Sequence, residues 1–476
     1  MIQNWLEIMP ATDQTVVIQE KLPRELETLR SQIWYRGDAS ELHQFFRQLQ
    51  FNSGGFWACA PDTNKVRKIH SGLPAVIVDT LAYIVKSDLD KIKTNSDNWE
   101  EIEQSVNFLN LVGKAVADTL VDGDGAFKIS VDTALSPYPI VEFAGGDMVD
   151  FEVSRGILSG VIFKTVFTVK SRKFVLHERY GKGRIESRLY DSSGNERPLG
   201  TVPELAEIPE VVKFDGDHIM AVPLKFYDSK KYHGRGKSIF DGGKSDCFDA
   251  LDEVISQWWD AIRAGRVQKY IPEDMIPRNP KDGSLMSVNR FGTEFVTVSS
   301  VRNENCTEQP KIEVVQPKIE YEAFVNSYTN ALLMCLQGLV SPATLGIDVG
   351  KMSSAEAQRE KKDVTGNTRN TITTALEKAL PELIEAILKT YDNIQGKAPG
   401  NYDISVNFGE YGAPDFDSRV ETVGKACTYG IMSVKTQVDE LWGSSKDDEW
   451  KAGEVRRIKS EKGLLEAAEP SIGGEP

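Results

Sequence analysis

The stretch Phe248-Asp249-Ala250-Leu251-Asp252-Glu253-Val254-Ile255-Ser256-Gln257-Trp258-Trp259-Asp260-Ala261-Ile262 decides how the chain reads. Phe248, Leu251, Val254, Ile255, Trp258, Trp259 and Ile262 recur at three- and four-residue intervals, the mark of a helix with an apolar face. The helical pattern fills 236–270 and ends near Gly265. Two adjacent indoles on a helix cannot both face one core. One of Trp258 and Trp259 must meet a second partner, which is the other helix, a neighbouring subunit or solvent; packing within the chain and a subunit interface are the two open readings. Downstream the chain becomes dense in Pro and Gly, through Pro272, Pro277, Pro280 and Gly283, to short strands at Phe295–Val298 and Lys311–Val315. After Pro317 a second helical pattern carries Ile319, Phe324, Val325, Tyr328, Leu332, Cys335, Leu336 and Leu339. Two amphipathic helices thus flank a compact insertion.

A turn-rich loop follows, Ser341-Pro342-Ala343-Thr344-Leu345-Gly346-Ile347-Asp348-Val349-Gly350-Lys351-Met352. Ser353-Ser354-Ala355-Glu356 then reads as a capping box that opens a long helix. Its first half, Gln358–Thr371, is polar nearly all round and needs support from neighbours or must bridge solvent. Pro381 should kink that helix or start a new segment. A strand at Ile404–Phe408 precedes helices over Asp417–Thr428, Ser433–Leu441 and Lys446–Leu464, broken at Gly430 and Gly443-Ser444-Ser445. The tail Glu466–Pro476 reads as disordered.

Upstream, four helical patterns come first. One opens at Leu22-Pro23-Arg24-Glu25 and closes at Gly37, and the next is capped by Asp38 or Ser40. The others cover Leu73–Val85 and Asn98–Leu120. The period then falls to two at Phe127–Val131, Val161–Phe167, Lys173–Tyr180 and Arg184–Tyr190, the last followed by Asp191-Ser192-Ser193-Gly194-Asn195. Such runs read as antiparallel strands and hairpins. The fold class is α+β, mainly helical.

The 476 residues suggest roughly three packing units at about 150 residues each. A 40% apolar content supports true cores, and 27% charged residues fit a soluble globular chain. No apolar run approaches the roughly 18 residues a membrane helix needs, so no membrane partner is expected. Met1–Pro10 contains Glu7 and lacks a basic start, unlike a signal peptide. Lys plus Arg is 56 against 71 for Asp plus Glu, a formal charge of −15. That balance argues against a protein that grips DNA phosphates over a wide basic face. Cys59, Cys247, Cys306, Cys335 and Cys427 are odd in number and never form a CxxC pair, so neither a structural zinc nor a disulfide framework is expected. The five histidines are scattered, and Asp217-His218 reads as a turn. No metal and no cofactor is expected.

Two motifs invite other readings. His233-Gly234-Arg235-Gly236-Lys237-Ser238 contains Gly-Lys-Ser, but a phosphate loop needs a glycine where Lys231 stands. A dinucleotide fingerprint needs a third glycine where Ile239 stands. The segment reads instead as a flexible turn into a helix. Asp122-Gly123-Asp124-Gly125 resembles half a calcium loop, yet lacks the third oxygen ligand and the closing Glu. It reads as a tight turn between helix and strand. No catalytic arrangement of Ser, His, Asp or Cys stands out, and the chain reads as a non-enzyme. The competing class is an enzyme, a nucleotide-dependent hydrolase using Gly236-Lys237-Ser238.

In order along the chain stand Tyr232-His233-Gly234-Arg235-Gly236-Lys237-Ser238-Ile239-Phe240, Trp258-Trp259-Asp260-Ala261-Ile262-Arg263 and Leu339-Val340-Ser341-Pro342-Ala343-Thr344-Leu345-Gly346. Ser354-Ala355-Glu356-Ala357, Thr368-Arg369, Gly430-Ile431-Met432-Ser433 and Thr436-Gln437-Val438 follow. In that order the sequence resembles the portal, or head–tail connector, proteins of tailed double-stranded-DNA phages of the siphophage type. The resemblance covers most of the chain, although the first 20 residues show no pattern that can be assigned; another phage structural component, such as a minor capsid protein, is the competing reading within the same class. It implies a ring, typically dodecameric, at one capsid vertex of the virion, assembled in the host cytoplasm. Its regions would be a wing (1–240), stem helices (241–266 and 318–340), a clip (267–317), a tunnel loop (341–352), a long kinked helix with a wing return (353–410) and a crown with a flexible tail (411–476). The implied partners are the terminase large subunit, a head-completion adaptor, major capsid and scaffolding proteins, and double-stranded DNA passing through the channel.

The candidate channel residues are Thr344, Ile347, Asp348, Val349, Lys351 and Ser353. Trp258 and Trp259 are candidates for the subunit interface. Tyr270, Ile271, Asp274, Arg278 and Arg290 are candidates for the docking surface of the clip. An acidic chain fits a channel through which DNA must slide, since each Lys or Arg that neutralises a phosphate adds adhesion. Lys351 is the one cation in its loop and would touch the DNA lightly, beside an otherwise acidic wall.

Overall fold

The structure, a computed structural model, describes residues 6–8, 16–18, 22–49, 55–59, 66–265, 268–272, 275–276, 278–284, 295–298, 312–315, 318–347, 355–409, 416–443, 446–461 and 463. It divides into two compact units, Met1–Gly409 and Glu410–Pro476.

The first unit opens with β1 (Leu6–Ile8) and β2 (Val16–Ile18), an antiparallel pair. Helices α1 (Arg24–Arg36), α2 (Ala39–Leu49) and α3 (Leu73–Ser87) follow. Gly37 ends α1 in the left-handed conformation, and Asp38 accepts the amides of Ser40 and Glu41 at the start of α2. After β3 (Lys93–Thr94), the pattern over Asn98–Leu120 is two helices, not one: α4 (Trp99–Val106) and α5 (Phe108–Asp122). Asn107 stands between them at φ 53°, ψ 50°. Asn tolerates this left-handed geometry better than most residues, so the chain turns there without losing its apolar period.

The strands are β4 (Asp124–Ser130), β5 (Ile140–Gly145), β6 (Val149–Ser154), β7 (Ile157–Val169), β8 (Arg172–Gly181), β9 (Arg184–Asp191), β10 (Glu196–Arg197), β11 (Val211–Lys213) and β12 (Ala221–Lys225). They form two sheets. One runs β12-β4-β5, and the other β10-β9-β8-β7-β6 with β11 also on β9. Every pairing in both is antiparallel, as alternation predicts.

Next come α6 (Lys244–Ala264), the sheet of β13 (Gln268–Pro272), β14 (Phe295–Val298) and β15 (Glu313–Val315), and α7 (Tyr321–Leu336). Central β13 lies parallel to β14 and antiparallel to β15. Helix α8 (Ala355–Ile394) and β16 (Ile404–Ser405), which pairs with β3, complete the unit. Helix α8 continues through Pro381 without a new start. The missing N–H leaves one carbonyl of the preceding turn without its helical partner, and the apolar residues around the proline hold the helix together. Leu380, Leu383, Ile384 and Ile387 are fully buried, in a core shared with Trp34, Leu81, Val116, Phe127 and Phe248. The Ser353-Ser354 part of the expected capping box lies outside the described residues.

The second unit holds α9 (Phe416–Thr428), α10 (Val434–Trp442) and α11 (Asp448–Glu461). The Ser433 hydroxyl caps α10 by accepting the Thr436 amide. Trp442 and Trp450 meet edge to face, with centroids 5.2 Å apart. The tail Glu466–Pro476 lies outside the described residues. Among the described residues no helix is long and apolar enough to cross a membrane.

Candidate functional site

The α6–α7 hairpin, the loop after it and the turn before it form the region the sequence singles out. Helix α6 packs through two faces. Its apolar face places Phe248 against Trp34 and Phe240, at 5.9 and 5.7 Å between centroids. Further along, Trp258 stacks on Phe324 of α7 at 6.2 Å with the planes 7° apart, and lies 6.3 Å from Tyr328. The rings thereby zip the hairpin. Trp259, one position on, is 56% exposed.

A second, polar face docks on the segment before α3. The Asp249 carboxylate accepts the amides of Phe56 and Trp57 at 2.7 and 3.0 Å. Burial pushes its carboxyl up, while those two amides pull it down. Asp252 takes the Trp57 indole N–H at 3.0 Å, a ring nitrogen of His70 at 2.7 Å and the Ser71 amide at 2.8 Å. Ser256 accepts the Ile69 amide. Asp249, Asp252 and Ser256 recur at helical spacing, so a polar stripe was visible in the sequence beside the apolar one and signals docking to irregular chain.

Lys244 ties the open end of the hairpin. Its Nζ donates to the carbonyls of Met334, Cys335 and Gln337 at 2.8, 3.2 and 2.7 Å, which closes the C-terminus of α7. Burial lowers the Lys244 pKa, and the nearby thiols of Cys247 and Cys335 oppose that. Burial also pushes the Cys335 thiol up to about 12, which keeps it protonated and unreactive.

The loop turns at Gly338, φ 74°, and passes through a short 3-10 turn at Pro342–Leu345 to Gly346, φ 68°. The polar half of α8 supports it. Thr365 Oγ1 accepts the Ser341 amide at 2.9 Å and meets the Thr344 hydroxyl at 3.0 Å. The Thr368 hydroxyl donates to the Leu339 carbonyl at 2.7 Å. Arg369 donates to Asp88 at 3.1 Å and to the Gly409 carbonyl. A helix polar all round here serves as a frame whose hydroxyls satisfy loop backbone. Of the candidate channel residues, Thr344 lies in this turn and Ile347 is half-buried next to it. Asp348, Val349, Lys351 and Ser353 lie outside the described residues. Of the clip candidates, Tyr270 and Ile271 sit on β13, and Arg278 reaches the Gly283 carbonyl at 3.3 Å. Asp274 and Arg290 lie outside the described residues.

The turn before α6 is locked rather than flexible. Arg235 grips the fully buried Asp124 with Nε and Nη2, each at 3.0 Å, and reaches Asp150 at 2.9 Å and the Gly146 carbonyl at 2.6 Å. Its guanidinium lies over the Phe151 ring at 5.0 Å. Arg24 and the Gly236 amide add two more donors to Asp124, both at 2.6 Å. A Cβ on Gly236 would overlap the Gly123 carbonyl, so glycine there permits two backbones to touch. The Lys237 amide donates to Tyr227, and Ser238 Oγ and the Ile239 amide donate to Leu120. These groups of the Gly-Lys-Ser segment are engaged within the chain, in place of the cradle a phosphate would need. Asp122 of the neighbouring turn accepts Gln32 and the Gly146 amide. Burial, with Asp147 and Asp118 alongside, pushes its carboxyl up to about 7. Among the described residues no group of three or more His, Cys, Asp or Glu could hold a metal ion.

The family model described as "Phage portal protein, SPP1 Gp6-like" matches residues 190–464, more than half of the chain. The chain belongs to this family. The match runs from β9 through the hairpin, the loop and α8 into the last helices of the second unit. No curated protein sequence matches it. Among solved structures, "Neck of native GTA particle computed with C12 symmetry" aligns with a TM-score of 0.41 and 13% identity, covering 83% of this chain and 98% of that one. "Neck of empty GTA particle computed with C6 symmetry" aligns with a TM-score of 0.38 and 13% identity, over the same shares. Neither likeness is close enough to carry an argument about assembly.

Proposed function

We propose that this portal-family chain builds a homo-oligomeric ring, a dodecamer, at one capsid vertex of the virion, and that the ring is the channel for packaging and ejecting double-stranded DNA. The observation that carries the reading is the family match over 190–464, which takes in α6, α7, the segment between them and the loop after them. In this reading α6 and α7 are the stem, residues 267–317 are the clip, 341–352 are the tunnel loop, and 411–476 are the crown. The clip docks first the terminase large subunit and then the head-completion adaptor, through Tyr270, Ile271, Asp274, Arg278 and Arg290. Major capsid and scaffolding proteins surround the wing, and assembly takes place in the host cytoplasm. The protein is structural and catalyses no step itself.

The acidic surplus of −15 fits this role. A wall that repels phosphates lets a duplex slide, whereas a basic wall would hold it through released counterions. Lys351 supplies a single light contact from the loop, beside Thr344, Ile347, Asp348, Val349 and Ser353. Trp259 supports the ring, because a large exposed indole on a packed hairpin is a surface that assembly would cover. Particles made with and without this chain test the role by their nuclease-protected DNA. Protected DNA is expected only when the chain is present, and full particles without it would overturn the reading. A ring that carries residues 341–352 on its outer rim would overturn the loop assignment.

A further inference from the structure

The outer flank of α6 holds a cleft of about 420 Å³ lined by Arg67, Ile69, Ser256, Trp259, Asp260 and Arg263. Arg67 and Arg263 are exposed, and among the described residues neither has an acidic partner. A half-exposed indole beside two unpaired guanidinium groups suits a partner that is anionic and partly apolar. The start of α7 has that character. Tyr321 and Val325 are exposed there, and the exposed Glu322 receives only the Tyr321 hydroxyl, at 3.2 Å, with no cation beside it among the described residues.

The two patches lie on opposite outer flanks of the hairpin. Trp258, Phe324 and Tyr328 mark the seam between α6 and α7. Arg263 comes five residues after Trp258, while Glu322 comes two before Phe324 and six before Tyr328. At roughly 100° per residue, each is turned about 140° away from the seam. They also stand at one height. The helices are antiparallel, since Lys244 meets the end of α7 while Gly265 lies against Ile319 just before its start. Trp258 is abreast of the stretch between Phe324 and Tyr328, which puts Arg263 abreast of Tyr321 and Glu322. Neighbours in a closed ring are related by rotation without a shift along the axis, so patches that meet must share a height and face opposite ways.

We propose that the cleft at Arg67, Trp259 and Arg263 receives the start of α7 from a second copy of this chain, with Arg263 facing Glu322 across the contact and Trp259 covered by it. The proposal rests on the ring reading above.

Paired charge reversals test it. Arg263→Glu sets two acids against each other at every contact, and Glu322→Arg sets two bases. Each variant alone should assemble roughly tenfold more weakly per contact, compounded around the ring, and sediment mainly as monomer. Mixed together, the two variants should form rings of alternating chains. Both possible pairs inside a single variant chain remain like-charged, so restoration on mixing arises only between copies. Circular dichroism of each variant checks that the fold is kept. Should either lose helicity, Arg263→Gln replaces them, with assembly less sensitive to salt than wild type as the expected result. Single variants that assemble normally, a mixture that stays monomeric, or unchanged salt sensitivity in Arg263→Gln would each overturn the contact while the ring stands. Wild-type protein that is monomeric throughout would overturn the ring reading itself, and the contact with it.

Discussion

Replacing Arg235 with Met is the sharpest probe of how the wing is joined to α6. The methionine keeps apolar length over Phe151 but removes both bonds to Asp124, the bond to Asp150 and the bond to the Gly146 carbonyl. Asp124 stays fully buried with only Arg24 and the Gly236 amide to satisfy it. Removing one partner of a buried charged pair costs roughly 3–5 kcal/mol, because the other charge is left poorly compensated. Arg24 keeps part of the compensation, so the expected loss is about 3 kcal/mol. Urea unfolding followed by tryptophan emission reads it as a lower midpoint with an unchanged slope. Asp124→Asn alone should also destabilise, and the double variant should be more stable than the two costs added predict, by about 2 kcal/mol. A loss below about 1 kcal/mol for Arg235→Met, or strict additivity in the double variant, would refute the picture of a locked junction and restore that of a flexible turn.

Other expectations follow from single sites. Asp122 has its carboxyl raised from 3.8 to about 7, so its protonated form favours the fold. The associated stability is complete below pH 3.8 and fades as pH rises to about 7, where the ionised group costs up to roughly 4 kcal/mol. Asp122→Asn should flatten that slope in urea titrations across the interval, and an unchanged slope would count against the assignment. Lys244→Met frees three carbonyls at the end of α7 and should cost about 1–2 kcal/mol, seen as faster amide exchange over Ala331–Leu336. Trp258→Ala and Trp259→Ala should part company. The first removes the stack on Phe324 and lowers monomer stability by about 3 kcal/mol, while the second leaves the monomer within about 1 kcal/mol and reduces assembly measured by sedimentation.

The hairpin was legible because its signal is local: seven apolar positions in fifteen residues, then Gly265, then a run rich in Pro and Gly. The alternating strands β7, β8 and β9 were legible for the same reason. The break at Asn107 was hidden, because the apolar period continues across it and one left-handed residue leaves no trace in periodicity. The function of Arg235 was hidden for a different reason. Its partners Asp124, Gly146 and Asp150 are 111, 89 and 85 residues away, so only tertiary structure brings them together. The reading of Asp122-Gly123-Asp124-Gly125 as a turn identified the backbone and missed that its carboxylates anchor two arginines and a glutamine. On α8, the polar stretch left support by neighbours and bridging of solvent both open, and Thr365, Thr368 and Arg369 decide for neighbours, since they are buried and hold the loop. A polar stretch within a long helix was the available clue, and it named no neighbour.

The account depends most on assembly. Electron micrographs of the purified protein, averaged end on and without imposed symmetry, test it directly. The expected result is a ring with a central hole, built from many copies of the 53.0 kDa chain, with α6 and α7 of adjacent subunits in contact around the hole. A population of single-chain particles at every concentration tried, or rings in which the α6–α7 hairpin points outward and touches no neighbour, would contradict it.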